Sequence, residues 1–192
     1  MIDPLYGFVF LGLFSPGPNV ILLTTSGARF GLRRTLPHLF GVVLGVGITA
    51  GLTGLGIAAL LKQAPALELA LRIAAGLWML WMAWGLWTAE RRKKTERDRP
   101  MTLLEAALFQ WINPKVWGVA LAAASAYPGT AGPVWEAIRL GTAFSGINLI
   151  CCLFWTSAGA MLTWLLTTPA AWRLFTRVMA VALGSFSVMV FL

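Results

Sequence analysis

Charge is scarce in this chain, and acidic charge scarcest. Seven Asp and Glu stand against fifteen Lys and Arg, and charged residues make up 11% of the 192. Soluble domains carry roughly a quarter of their residues as charged side chains, so an ordinary water-soluble fold is excluded. The seven carboxylates lie in loops or near the ends of apolar runs, Glu105 being the closest to a run interior. That leaves no carboxylate cluster deep in a run to hold a metal. A single histidine, His38, rules out a histidine cluster as well. Cys151 and Cys152 are neighbours in one apolar run, where successive side chains diverge by about 100°, so they supply no disulfide framework. No phosphate-cradling loop of the nucleotide-binding type occurs, which argues against a primary pump. The reading is of a protein that is not an enzyme and uses no cofactor and no metal.

Apolar residues are what the chain has in quantity: 58% of it is hydrophobic. An apolar helix of about 20 residues crosses a hydrocarbon core of about 30 Å. Hydropathy places such spans at 5–25, 38–61, 67–88, 103–126, 141–166 and 172–192, with VWEAIRL (134–140) at the interface before the fifth. The expectation is an all-α polytopic membrane protein with six transmembrane helices, forming one transmembrane domain over 1–192. RRKKTERDRP, residues 91–100, is the strongly polar stretch and divides the chain into halves, 1–90 and 101–192, of three spans each. Three spans per half make the second half enter the bilayer inverted.

The net charge of +8 sits between apolar runs, so it speaks of lipid headgroups rather than nucleic acid. The loops after spans one, three and five hold Arg29, Arg33, Arg34, Arg91, Arg92, Lys93, Lys94, Arg97, Arg99, Arg173 and Arg177; the opposite side holds Lys62, Arg72 and Arg139. Basic residues accumulate on the cytoplasmic side, so 91–100 is a cytoplasmic loop and both termini face outward. Trp87, Trp135 and Trp172 fall near span ends, where aromatic rings favour the headgroup region. Trp78, Trp81, Trp84 and Trp87 recur every three residues and read as lipid contact and packing. Gly41, Gly45, Gly47 and Gly51 form small-residue pairs that let another helix approach closely, and such faces are compatible with a homodimer. His38, at the mouth of span two, is expected in a solvated or headgroup setting.

Two spans are interrupted. FSPGPNVILL (14–23) places two prolines and a glycine inside an apolar run, and WINPKVW (111–117) does the same with a lysine added. The residues 5–14 climb about 15 Å as a helix, half the apolar thickness, so the first break falls near the midplane. Pro16 and Pro18 lack N–H groups, which takes the normal donors from the carbonyls of Gly12 and Phe14. Unpaired backbone at that depth must be buried in protein or line a wet cavity. Ser15-Pro16 and Asn113-Pro114 both have the grammar of a helix start, a polar cap followed by proline. Two half-helices starting near the midplane in inverted halves would bring their positive N-termini together, and Lys115 adds a full charge. Ser15, Pro16, Gly17, Pro18 and Asn19 with Gln110, Asn113, Pro114 and Lys115 are therefore the candidate substrate-binding residues. Convergent N-termini and a lysine suit a carboxylate, and freed carbonyls with asparagine amides suit an ammonium. The alternative role for the lysine is to pin the freed carbonyls.

At these residues the chain resembles the LysE/RhtB family of amino-acid exporters: SPGPN (15–19), GARFGLRR (27–34), GVVLG (41–45) and INPKVW (112–117), with the length and the mid-chain polar loop in agreement. The resemblance implies a secondary transporter that exports amino acids or closely related zwitterionic metabolites, coupled to protons, in a bacterial inner membrane. With no midplane carboxylate, Lys115 is the candidate for exchanging the proton. The alternative is an exporter of another small solute or a metal ion.

Overall fold

A computed structural model describes residues 3–57, 65–89 and 99–189. The polar segment 91–98 and Lys62, on which part of the charge asymmetry rests, lie outside the described residues. Eight helices are described: α1 (Pro4–Phe14), α2 (Pro18–Phe30), α3 (Leu32–Gly54), α4 (Pro65–Trp87), α5 (Leu103–Ile112), α6 (Pro114–Ala126), α7 (Pro133–Leu162) and α8 (Pro169–Met189). Six of the ten prolines open a helix, where a missing N–H costs nothing and the fixed φ favours the first turn. Asp3 caps α1 by accepting from the Leu5 N–H at 2.9 Å, and Thr102 and Glu105 form a reciprocal capping box at α5.

The order of elements repeats: two short helices separated by a proline break, then two long ones. Among the described residues α3 and α7 are each long and apolar enough to cross a membrane, and α1 with α2, bent by 60° at their break, are so when taken together. Two expected boundaries move. α3 begins at Leu32 rather than 38, because Gly31 (φ 79°) turns the chain and Pro37 is accommodated within the helix. Residues 134–140 are the first two turns of α7 and continuous with it, so that helix starts at Pro133, with Leu140 fully buried.

Lipid tails are as apolar as leucine, so helices in a bilayer associate through close packing and hydrogen bonds rather than through the hydrophobic effect. The glycines of α3 supply that packing on two sides. A methyl on Gly41 would run into Leu103 O and one on Gly45 would lie 2.6 Å from Ala107 O, both on α5. Gly47 and Gly51 face α7, at Ser145 and Ala137. α7 is gripped from α2 in the same way, Gly159 against Thr24 O and Gly27 against Thr156 O. A first core gathers Leu5, Val9 and Leu13 of α1, Leu39, Val42 and Val46 of α3, and Phe144 of α7. A second, of Ile21, Leu22, Met79, Ala83, Phe109 and Leu183, joins the α4–α8 pair to α2 and α5.

Two polar clusters mark opposite ends. Arg139 donates to Asp3 (3.1 Å), to Glu136 (3.1 Å) and to the Tyr127 carbonyl, joining the start of α1, the end of α6 and the start of α7. The Leu5 amide and Arg139 hold the Asp3 carboxyl below its usual range. At the other end, Ser26 and Arg29 of α2 share a cavity with Arg99 and Glu105 at the start of α5. The interrupted pairs α1–α2 and α5–α6 therefore run in opposite senses.

Candidate functional site

Each break is shaped by the residue before its prolines. A residue preceding proline is pushed out of the helical region, and Ser15 (ψ 145°), Gly17 (ψ −179°) and Asn113 (ψ 102°) are all extended. At the second break this makes Asn113 the N-cap of α6, with its Oδ1 accepting from the Lys115 N–H at 3.2 Å, as the sequence grammar implied. The first break departs from that grammar. Ser15 is the C-cap of α1 and donates its hydroxyl to Gly12 O at 2.9 Å, while the N-cap of α2 is Gly17, which offers no side chain. Two X-Pro steps in succession keep Ser15 and Gly17 both extended, so α2 starts at Pro18 and not at Pro16.

The carbonyls freed at the first break are met from other helices. Phe14 O accepts from Trp155 Nε1 of α7 at 3.2 Å. Lys115 reaches across 100 residues of sequence and donates to Ser15 O (2.5 Å), Ser15 Oγ (3.0 Å) and Pro16 O (3.2 Å). Three acceptors match the three N–H donors of an ammonium. Its aliphatic stem lies on Gly17, where a methyl group would come within 2.7 Å of Cδ. A second link is an amide pair, Asn19 Nδ2 to Gln110 Oε1 (2.8 Å) and Gln110 Nε2 to Asn19 Oδ1 (3.1 Å). Gln110 Nε2 also donates to Ala106 O, and Asn113 Nδ2 to Gln110 Oε1 at 3.3 Å. Gln110 is 0% exposed, a polar side chain that only this pairing makes tolerable.

A cavity of about 20 Å³ lies between the breaks, the room of one small polar group. Gly17, Asn19, Asn113 and Lys115 line it, with Ser15, Pro16 and Gln110 bonded around it. Pro18 and Pro114 sit at the first positions of α2 and α6 and are not part of the lining. Leu13, Val20, Leu23 and Val116 add apolar lining, and α7 contributes a wall of Asn148, Cys151, Cys152 and Trp155. Sequence reading did not assign these, although spacings of three, four and seven place them on one helical face. Both cysteines are free and buried.

About two turns further along α2 is a larger cavity of about 910 Å³, with Ser26, Arg29, His38, Arg99 and Glu105 on one side and Trp78, Trp81 and Met82 on another. His38 is 1% exposed and its Nδ1 lies 3.1 Å from Ser26 Oγ, which corrects the solvated placement expected for it. Trp172 is buried too, whereas Trp81 and Trp84 are exposed.

No curated protein and no solved structure matches the chain. A family model does match, over residues 10–192, and its description is LysE type translocator. With an interrupted apolar pair, a second break beside it, and that match covering nearly the whole length, the chain belongs to the LysE type translocator family, transporters of small solutes such as amino acids.

Proposed function

We propose that this protein is a secondary transporter that exports amino acids or closely related zwitterionic metabolites by proton-coupled alternating access. The observation that carries the reading is the meeting of the two breaks, held by Lys115 on the Ser15 and Pro16 oxygens and by the Asn19–Gln110 pair. Oxygens that already hold one primary ammonium are suited to another. The substrate ammonium displaces Lys115 from the Ser15 and Pro16 carbonyls, and the released lysine meets the substrate carboxylate by a charge-assisted hydrogen bond. Six spans, arranged as two inverted three-helix repeats, provide the two bodies that rock about this site. In a bacterial inner membrane the orientation has both termini outside, and the Arg139 cluster closes the outer end while Ser26, His38 and Arg29 border the cytoplasmic entrance. Lys115 exchanges the coupling proton when it leaves its carbonyls. The glycine faces are already used within one chain, so a homodimer would have to form on other surfaces.

Purified protein in proteoliposomes, screened against the standard amino acids with and without an imposed pH gradient, tests this reading. At least one amino acid should move, and faster with the gradient. Lys115→Arg should remove the pH dependence, because a guanidinium does not release its proton. Flux that ignores the gradient in both proteins counts against coupling, and no flux of any amino acid counts against the function.

A further inference from the structure

Resting on that reading of the break site, we propose that Asn148 of α7 is a substrate-contacting residue that hydrogen-bonds the carboxylate and so selects amino acids over the corresponding amines, which lack that acceptor. The polar groups around the small cavity divide cleanly. Asn19 and Gln110 satisfy each other, Asn113 caps α6 and bonds Gln110, and Lys115 is spent on three oxygens. Trp155, one wall further along α7, donates to Phe14 O. Asn148 differs. It is 3% exposed, it lines the cavity, and its Nδ2 has no hydrogen-bond partner among the described residues.

A buried amide donor without an acceptor costs about 1–3 kcal/mol, and in the interior of a membrane water offers little relief. The group that satisfies Nδ2 must present an acceptor within the cavity. Of the two ends of a zwitterion, only the carboxylate is an acceptor, since an ammonium offers donors alone. The oxygens of Ser15 and Pro16, held by Lys115 beside the cavity, take the ammonium end. Asn148 therefore sets the orientation of the substrate: ammonium toward the first break, carboxylate toward α7. A site built around a hydrogen bond rejects a ligand that cannot make it far better than an apolar pocket rejects an extra methylene.

The test compares wild type, Asn148→Asp and Asn148→Ala in proteoliposomes, using labelled L-leucine, L-threonine, L-lysine, L-arginine and any other standard amino acid that the wild type moves, each paired with the amine left when its carboxylate is removed. Asn148→Asp places a carboxylate against a carboxylate, so flux of the transported amino acids should fall about tenfold or more relative to the paired amines. Asn148→Ala should narrow the same ratio, and it serves as the readout if the aspartate variant does not insert. A residue with a purely structural role would lower both fluxes together and leave the ratio unchanged, which overturns the inference. Wild type that moves none of the standard amino acids overturns the exporter reading and this inference together. Wild type that moves them with a ratio indifferent to position 148 overturns this inference alone.

Discussion

At the first break three residues, Ser15, Pro16 and Gly17, separate two helices, and their backbone is held largely from outside, by Lys115 of α6 and Trp155 of α7. At the second break one residue does the work from within: Asn113 ends α5, caps α6 and bonds Gln110 of its own neighbourhood. The backbone of the first break thus depends on the second, whereas the backbone of the second is capped from within, and the Asn19–Gln110 pair ties the two in both directions. On the proposed alternating-access reading the exchangeable contacts are the Lys115 bonds to Ser15 and Pro16, and the fixed ones are those of Asn113. Two successive X-Pro steps in the first break accompany a 60° turn between α1 and α2.

Breaking the dependence should have the largest effect. Lys115→Met removes the bonds that Lys115 sends to Ser15 and Pro16 and leaves the Asn19–Gln110 pair in place. Charge-assisted hydrogen bonds are worth about 1.5–3 kcal/mol each, so flux is expected to fall about a hundredfold while membrane insertion persists. Wild-type flux in that variant would mean that the breaks do not need each other. Gly17→Ala should act through the same contact more gently, since its Cβ would lie 2.7 Å from Lys115 Cδ and 2.8 Å from Nζ. Overpacking of this kind costs about 1–3 kcal/mol, and a loss of about tenfold is expected; Gly17 has an extended φ that alanine adopts freely, so any effect reports the lysine.

The amide pair sharpens the comparison further. A double-mutant cycle on Asn19→Ala and Gln110→Ala, read as thermal stability in detergent, should show a coupling of about 1 kcal/mol. Additive losses would mean that the pair contributes nothing across the break. Smallest of all is the difference between caps. Asn113→Ala should lower stability by about 1 kcal/mol through loss of the N-cap, and Ser15→Ala by less, because Ser15 caps no helix start. Equal losses would contradict the assignment of Gly17 as the N-cap.

Much of this could be read locally, and the places where it could not are specific. Asn113-Pro114-Lys115 declared its own geometry because a cap and its recipient lie two residues apart. Ser15-Pro16 misled because Pro18 competes as a first helical residue, and the restraint that each proline puts on the residue before it decides between them. His38 looked like a loop residue beside Pro37, yet α3 had already begun at Leu32 and turned the ring onto Ser26. Asn148 carried no motif. It was one amide in an apolar run until the packing of α7 aimed it at the cavity.

By itself, the sequence determined that the chain is apolar enough for a bilayer, that helices start at particular prolines, and that two apolar runs are interrupted. Those outcomes rest on transfer free energy and on hydrogen bonds spanning four residues or fewer, which any stretch of chain carries with it. Only the tertiary structure decided that the interruptions meet, that Lys115 lies on Ser15 and Pro16, and that one face of α7 closes the cavity. The physical reason is that a contact between residues 15 and 115 exists only after α3 has drawn α5 and α7 together along its glycines, and no local preference of either residue specifies that approach.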